Sequence, residues 1–276
     1  MTPEDAAREL TGTPAARVRR LGGEVWAVDL ADGSPVVLKR HDRPNAALAE
    51  AASLEWLAEP DGPPAPRVRG RHEHWLAMDR VEPGRPSPSA AEEFGRRLAA
   101  LHATGAPAFG APPPGGPVDA AIGLAPMRDV ASDRWPEWFA EHRIAYYARR
   151  AVDAGALTPA EARVIEAVRV DAPAEPPARL HGDLWSGNVH WAADGRAWLL
   201  DPAAHGGHRE SDLAMLALFG CPHLDRVLAA YDEAAPLADG WRDRVPLHQL
   251  FPLLVHAVLF GRGYARQALS AARSAP

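Results

Sequence analysis

Residues 180–188 read Leu-His-Gly-Asp-Leu-Trp-Ser-Gly-Asn, and this segment is the most informative one about the architecture. Four residues separate Asp183 from Asn188, and Asp201 follows thirteen residues after Asn188. Two short alternating segments flank an Asp-Gly turn at 194–195, and this pattern predicts a β-hairpin between the two motifs. The chain therefore carries a polar loop, a hairpin and a second carboxylate in that order.

This spacing is that of a kinase catalytic loop. In kinases the aspartate of the loop faces the attacking hydroxyl group, and the asparagine binds magnesium. A carboxylate at the end of a later strand completes the metal site, because Mg²⁺ prefers oxygen ligands. A simple capping turn would explain His-Gly-Asp alone, but not the whole set. We predict that Asp183 is catalytic and that Asn188 and Asp201 hold Mg²⁺ beside ATP.

Lysine usage points to the same chemistry. The 30 lysine and arginine residues include a single lysine, Lys39, which ends the third predicted strand. Kinases carry at this place the lysine that reaches the α- and β-phosphates of ATP. Glu50 on the following helix is the predicted ion-pair partner, with Glu55 as the alternative. Gly22 and Gly23, between the first two strands, are predicted to let the backbone approach the phosphates.

The order of the predicted elements gives the fold class. Alternating apolar residues predict strands at 16–21, 24–30, 35–39, 68–71 and 74–81 around one helix at 45–57. Most of the remaining chain has helical spacing, with capping boxes that begin at Ser89 and Thr158. We predict an α+β, bilobal, protein-kinase-like fold. A small antiparallel sheet lobe with one helix would span 1–82, and a larger, mainly helical catalytic and acceptor-binding lobe would span 83–276.

Composition excludes several classes of protein. The formal net charge of −6 argues against a nucleic-acid partner, which usually meets a basic face. One cysteine, Cys221, excludes an internal disulfide framework and a cysteine-clustered zinc site. The acidic start predicts no signal peptide, and the apolar stretch at 250–260 is too short to span a bilayer. We expect a cytoplasmic protein with no membrane partner.

The motifs together resemble the fructosamine kinase (ketosamine-3-kinase) family, a branch of the aminoglycoside phosphotransferase-like kinases. The resemblance rests on residues 181–188, on Asp-Pro-Ala at 201–203 and on the segment at 207–215. It implies ATP-dependent phosphorylation of the 3-hydroxyl of small-molecule or protein-bound ketoamines of the fructosamine or ribulosamine type, which leads to deglycation. It also implies that Met78, Asp79 and Val81 form the hinge that meets adenine, and that Asp212 braces the catalytic loop.

The acceptor side is less closely defined by the motifs. Trp185, His208 and Glu210 are the candidate sugar contacts, although each could instead have a structural role. His205 and Gly206 stand where relatives often have paired tyrosines, which affects the substrate pocket. The alternatives are a phosphotransferase for aminoglycosides or another small alcohol, and a catalytically dead nucleotide-binding module. The arginine-rich final helix, which lacks acidic residues, argues against polycationic aminoglycosides.

Overall fold

The computed structural model describes residues 1–276, and its first part is built on a five-stranded antiparallel sheet. The strands lie in the order β1-β2-β3-β5-β4. They are β1 (Ala15–Gly22), β2 (Val25–Leu30), β3 (Pro35–Arg40), β4 (Val68–Arg71) and β5 (Trp75–Asp79). On β3 the buried Val36 and Leu38 face one side of the sheet, while Val37 and Lys39 line a cavity on the other. Strand alternation thus places the only lysine on the cavity side.

Two helices pack on this sheet, where the sequence pattern predicted one. Helix α1 (Pro3–Thr11) covers the buried face with Ala6 and Ala7. Its start signals were present in the sequence, because Thr2 and Asp5 form a capping box and proline occupies the first helical position. Helix α2 (Ala46–Leu57) packs against β5 through Ala47, Ala51 and Leu54. This packing points Glu50 back towards the sheet.

The remaining chain is mainly helical. Its helices are α3 (Pro88–Ala103), α4 (Trp135–Trp138), α5 (Tyr146–Asp153), α6 (Pro159–Glu166), α7 (Glu210–Leu218), α8 (Leu224–Ala234), α9 (Trp241–Phe260) and α10 (Arg262–Ser274). Its short strands form three antiparallel pairs: β6 (Asp119–Ile122) with β7 (Ala125–Arg128), β8 (Ala178–Leu180) with β11 (His205–Gly207), and β9 (Val189–Trp191) with β10 (Ala197–Leu199). The largest hydrophobic cluster contains 26 buried residues and centres on α5 and α9. No helix of the structure has the length and apolarity needed to cross a membrane.

Several local predictions were wrong in detail. Helix α3 begins after Ser87, whose side chain accepts a hydrogen bond from the Ala90 N–H, so the predicted capping box at Ser89 does not form. A π-helical turn at Phe139–Ala145 interrupts the helix predicted over 133–152. The pair β6–β7 lies where no element was predicted. The capping box at Thr158 and the hairpin around residues 194–195 are present.

The linker between the sheet and α3 is hydrogen-bonded to the hairpin formed by β9 and β10. Gly84 donates its N–H to the Trp191 carbonyl at 2.7 Å, and Glu82 accepts from the Ala193 N–H at 2.9 Å. A side chain on Gly84 would meet the Ala192 carbonyl oxygen at 2.2 Å, so only glycine fits this approach. The predicted α+β bilobal kinase-like fold is confirmed, while the lobe boundary between residues 82 and 83 stays a prediction.

Candidate active site

Three elements bring charged groups together around Lys39. Its ammonium lies 2.8 Å from Glu50 Oε2 on α2 and 2.6 Å from Asp201 Oδ1 after β10. Burial would lower the pKa of Lys39, but the two carboxylates outweigh it and raise the pKa above its ordinary value. Burial likewise opposes ionisation of Glu50, yet Lys39 brings the Glu50 pKa down to about 2. Glu55 is exposed, so Glu50 is the partner of Lys39.

Asp183 and Asn188 of the predicted catalytic loop line the same cavity as Lys39 and Asp201. The Asn188 side-chain N–H donates to the Asp183 carbonyl at 2.8 Å and to Asp183 Oδ2 at 3.1 Å. Burial raises the pKa of Asp183 to about 7, and the nearby carboxylates of Asp201 and Asp212 add to this shift. The Asn188 hydrogen bond opposes the shift by lowering the pKa, but burial outweighs it. A carboxylate with a pKa in this range suits the predicted role of Asp183 as a proton acceptor.

A buried carboxylate holds the loop in place. Asp212 on α7 accepts hydrogen bonds from the backbone N–H groups of His181 at 2.7 Å and Gly182 at 3.0 Å. Its Oδ2 also lies 3.2 Å from His102 Nε2, and the other ring nitrogen of His102 contacts the Tyr231 hydroxyl. Gly182 has φ +79° and lies against the Ala203 carbonyl, so it could not carry a side chain. These contacts fix the backbone immediately before Asp183.

Two cavities meet at the Lys39–Asp201 ion pair. The first, of about 510 Å³, lies under the sheet and reaches the hinge residues Met78 and Val81. The second, of about 540 Å³, lies between α2 and the catalytic loop and contains Asp183. Lys39 and Asp201 line both cavities. A group bound in one cavity could therefore be transferred to a group bound in the other at this junction.

The first cavity contains the residues predicted to form the adenine-binding hinge. Asp79, Met78 and Val81 line it. The N–H and C=O of Val81 make no backbone hydrogen bond within the protein. Gly22 and Gly23 form the turn between β1 and β2, and Gly23 has the positive φ of +49° that glycine tolerates best. Their neighbours Leu21 and Val25 line the cavity, although the glycines themselves do not.

Trp185 is the predicted acceptor contact that lies in the second cavity. Its side chain is 39 % exposed and shares the cavity wall with Asp183 and Asn188. The ring packs edge-on against Phe219 and lies over Gly187, where a Cβ atom would come within 2.2 Å of it. Glycine at position 187 thus sets the position of the indole ring.

His208 and Glu210 do not line the second cavity, and their burial contradicts the prediction that they contact the sugar. Each residue is only 2 % exposed. Glu210 receives the Arg244 guanidinium on both carboxylate oxygens, at 2.6 and 2.9 Å, and lies 3.3 Å from His248 Nε2. Although His208, Glu210 and His248 could be read as a metal cluster, Arg244 already neutralises the only carboxylate. The Gly-His-Arg-Glu segment is therefore a buried anchor between α7 and α9.

Oxygen atoms suited to a divalent cation remain available beside the ion pair. The Asn188 amide uses its N–H₂ group towards Asp183, which leaves Oδ1 without a hydrogen bond. Asp201 is 54 % exposed, has φ +50°, and engages Lys39 through Oδ1 only. One amide oxygen and one carboxylate oxygen fit the preference of Mg²⁺ for oxygen ligands, with water and phosphate completing its shell.

Sequence reasoning missed two histidines of the site. His41 Nε2 lies 3.0 Å from Glu50 Oε2, and His181 donates its Nε2–H to the Leu200 carbonyl, 2.9 Å away. His41 follows Lys39 by two residues, so strand alternation could have placed it on the same side of β3. The contact of His181 depends on the hairpin returning to the loop, which the local sequence does not specify.

Comparison with known proteins agrees with this geometry. The fructosamine kinase family model matches residues 25–274. A probable ketoamine kinase of Thermus thermophilus is 35 % identical over 262 residues, covering 95 % of this chain and 90 % of the relative. A protein-ribulosamine 3-kinase of Arabidopsis thaliana is 34 % identical over 190 residues, covering 64 % of this chain and 55 % of the relative.

Solved structures give the same answer. The crystal structure of a candidate fructosamine-3-kinase from Thermobifida fusca superposes with a TM-score of 0.91 at 49 % identity and covers 99 % of this chain and 98 % of its own. An ADP-bound aminoglycoside phosphotransferase has a TM-score of 0.60 at 14 % identity, with 99 % and 98 % covered, and shares the fold. With a matching family model over most of its length, the chain belongs to the fructosamine kinase family.

Proposed function

We propose that this protein transfers the γ-phosphoryl group of ATP to the 3-hydroxyl of a ketoamine of the fructosamine or ribulosamine type. Family membership and the ketoamine-kinase names of its relatives support the acceptor class. The observation that carries the proposal is the junction of the two cavities, where Lys39 and Asp201 meet next to Asp183. Deglycation follows if the phosphorylated ketoamine decomposes and returns the free amine.

The first cavity takes the nucleotide in this proposal. Adenine lies at the hinge formed by Met78, Asp79 and Val81, and the phosphates extend towards Lys39 under the Gly22-Gly23 turn. The Lys39 ammonium suits this task because it is already held charged and oriented by Glu50 at 2.8 Å. Phosphate binding would replace the contact between Lys39 and Asp201, which frees that carboxylate for the metal.

Asn188 and Asp201 would hold Mg²⁺ through the two oxygen atoms described above. When bound, the ion neutralises charge on the β- and γ-phosphate oxygens. The chain supplies the position of both ligands: α7 fixes the loop before Asn188 through Asp212, and the left-handed backbone of Asp201 turns its carboxylate into the junction.

Asp183 acts on the acceptor. It orients the 3-hydroxyl and accepts its proton, while the hydroxyl oxygen forms a bond to the γ-phosphorus and the bond to the β–γ bridging oxygen breaks. The products are ADP and the 3-phosphorylated ketoamine. Catalysis rests on positioning and charge, because phosphoryl transfer needs little covalent participation by the protein. Trp185 offers a flat apolar face beside this point for the sugar or its amine substituent.

The other expectations about this chain remain proposals. We place a nucleotide-binding lobe at 1–82 and a catalytic and acceptor-binding lobe at 83–276, since the sheet ends at Asp79 and α3 begins at Pro88. A cytoplasmic location and the lack of a nucleic-acid partner stay predictions. Both free and protein-bound ketoamines remain candidate acceptors.

An acceptor panel tests the function. The purified chain is assayed for ADP release with ATP, Mg²⁺ and a deoxyfructosyl amine, a deoxyribulosyl amine, the matching 3-deoxy ketoamine and an aminoglycoside. We expect turnover with the first two compounds and none with the 3-deoxy compound, which lacks the acceptor oxygen. Turnover with the aminoglycoside alone would replace the proposed function with the alternative kinase activity. Nucleotide binding without transfer to any acceptor would make the chain a catalytically dead module.

Asp183→Ala checks the assigned base in the same assay. Loss of a general base typically costs about 10²- to 10⁴-fold in rate, so we expect a decrease in kcat of at least about 100-fold. The control is Asp153→Ala, which removes an exposed carboxylate from the end of α5. Equal turnover by Asp183→Ala and the control would contradict the role of Asp183.

A further inference from the structure

Strand β1 presents arginine side chains to the nucleotide cavity. Arg17, Arg19 and Leu21 alternate along β1, and all three line the cavity. Arg80, which also lines it, is held by Asp29 at 2.8 Å and Glu82 at 2.7 Å. Arg19 takes part in none of the ion pairs of the structure. A cation that faces a cavity without a protein partner is available to a ligand.

The pairing of the strands determines where Arg19 lies along the length of the cavity. Arg19 pairs with Ala27 on β2, Ala27 pairs with Val37 on β3, and Val37 pairs with Met78 on β5. All four residues of this cross-sheet row line the cavity. The row therefore runs from Arg19 directly to the start of the hinge.

The phosphate end of the cavity lies further along the strands. Lys39 pairs with Val25, two residues beyond the row that contains Val37 and Ala27. At about 3.3 Å per residue, the two levels differ by roughly 7 Å. Arg19 consequently lies at the level of the hinge and not at the level of the Lys39 ammonium. Its position favours contact with the base over contact with the β- and γ-phosphates.

We propose that Arg19 stacks its guanidinium plane on the purine ring of the nucleotide, a contact that rests on the proposed function of this cavity. The guanidinium is planar, delocalised and weakly hydrated, which suits it to lie on an aromatic face. Ala27 and Val37 provide a small aliphatic roof beside it, and Leu200 lies on the opposite wall. Arg19 is thus a further nucleotide-binding residue that no motif of the sequence indicates.

Calorimetric titration with adenosine and with ATP tests this contact. We expect Arg19→Ala to weaken both ligands by a similar factor, about three- to thirtyfold, as cation–π contacts of this kind do. Arg19→Lys keeps the charge but loses the plane, so it should not restore adenosine binding. The control Arg71→Ala removes an equal charge from the exposed edge strand β4 of the same sheet and should match the wild-type protein.

Three results would overturn the contact with the base. They are unchanged adenosine affinity in Arg19→Ala, restoration by Arg19→Lys, and an effect on ATP that is absent for adenosine, which would mark a charge contact with the phosphates. Wild-type protein that binds neither ligand would remove the proposed function together with this contact. Wild-type binding with an unaffected Arg19→Ala would remove the contact alone.

Discussion

Replacing Asp212 with asparagine should separate the folding role of this carboxylate from the chemistry of the loop. Asp212 accepts from two backbone N–H groups at 2.7 and 3.0 Å and lies 3.2 Å from His102 Nε2. Asparagine has the same shape but only one accepting oxygen. Whichever way its amide is turned, its N–H₂ group faces at least one of these donors at about hydrogen-bond distance, so a buried N–H loses its partner.

The expected loss of stability follows from these contacts. A hydrogen bond to a charged group contributes about 1.5–3 kcal/mol, and an orphaned buried donor costs about 1–3 kcal/mol. Burial opposes the charge of Asp212, but its partners lower the pKa below the ordinary value, so the carboxylate gains more than it loses in the folded state. We expect Asp212→Asn to lower the free energy of unfolding by about 3 kcal/mol.

Urea unfolding and steady-state kinetics measure the two consequences. The midpoint of urea unfolding should fall with an unchanged slope. The backbone before Asp183 should loosen, so kcat should fall by a larger factor than the KM for ATP rises, because the hinge and Lys39 contacts proposed for ATP lie outside this loop. Asp153→Asn, the same substitution on an exposed helix end, should stay within about 0.5 kcal/mol of wild type. A loss below about 1 kcal/mol in Asp212→Asn, or an equal loss in the control, would refute the bracing role.

Further variants probe the junction, the indole ring and the buried histidines. Lys39→Arg should lower kcat/KM by about 100-fold or more, since a planar fork cannot fit between carboxylates 2.6 and 2.8 Å from one ammonium; activity above a tenth of wild type would contradict this. Gly187→Ala should displace Trp185 and raise the KM for the ketoamine with little change for ATP, as initial-rate kinetics would show. Burial lowers the pKa values of His205 and His208 to about 3, whereas unfolded histidine titrates near about 6.5. Below that pH the unfolded state binds more protons than the folded state. The free energy of unfolding should therefore fall by up to about 1.4 kcal/mol for each unit of decreasing pH and each histidine. An unfolding free energy that stays constant from pH 7 to 5 would contradict this.

Local spacing explains why much of the site could be predicted from the sequence. Asp183 and Asn188 are held by one short loop, and their hydrogen bond is a contact over five residues. Lys39 lies on a strand whose alternating pattern already separates its two faces. The association of Lys39 with Asp201, 162 residues away, could be expected only because the whole set of motifs matched one fold.

The errors arose where a distant partner decides the environment. Glu210 was a candidate sugar contact with a structural role as the alternative, and Arg244 on α9, 34 residues later, holds it in a buried ion pair. No sequence pattern near Glu210 predicts that Arg244 is its partner. The π-helical turn at Phe139–Ala145 has a similar origin, because helical spacing does not distinguish a wider turn from a regular one.

The protonation of Lys39, the only lysine, affects how readily the protein itself reacts with sugars. Unprotonated amines attack the carbonyl group of reducing sugars, and the sole ε-amine of this chain is enclosed by two carboxylates that keep it protonated. With arginine in nearly every other basic position, the surface offers aldoses no lysine side chain to condense with. A solution of reducing sugar should therefore form few ketoamines on the side chains of this protein.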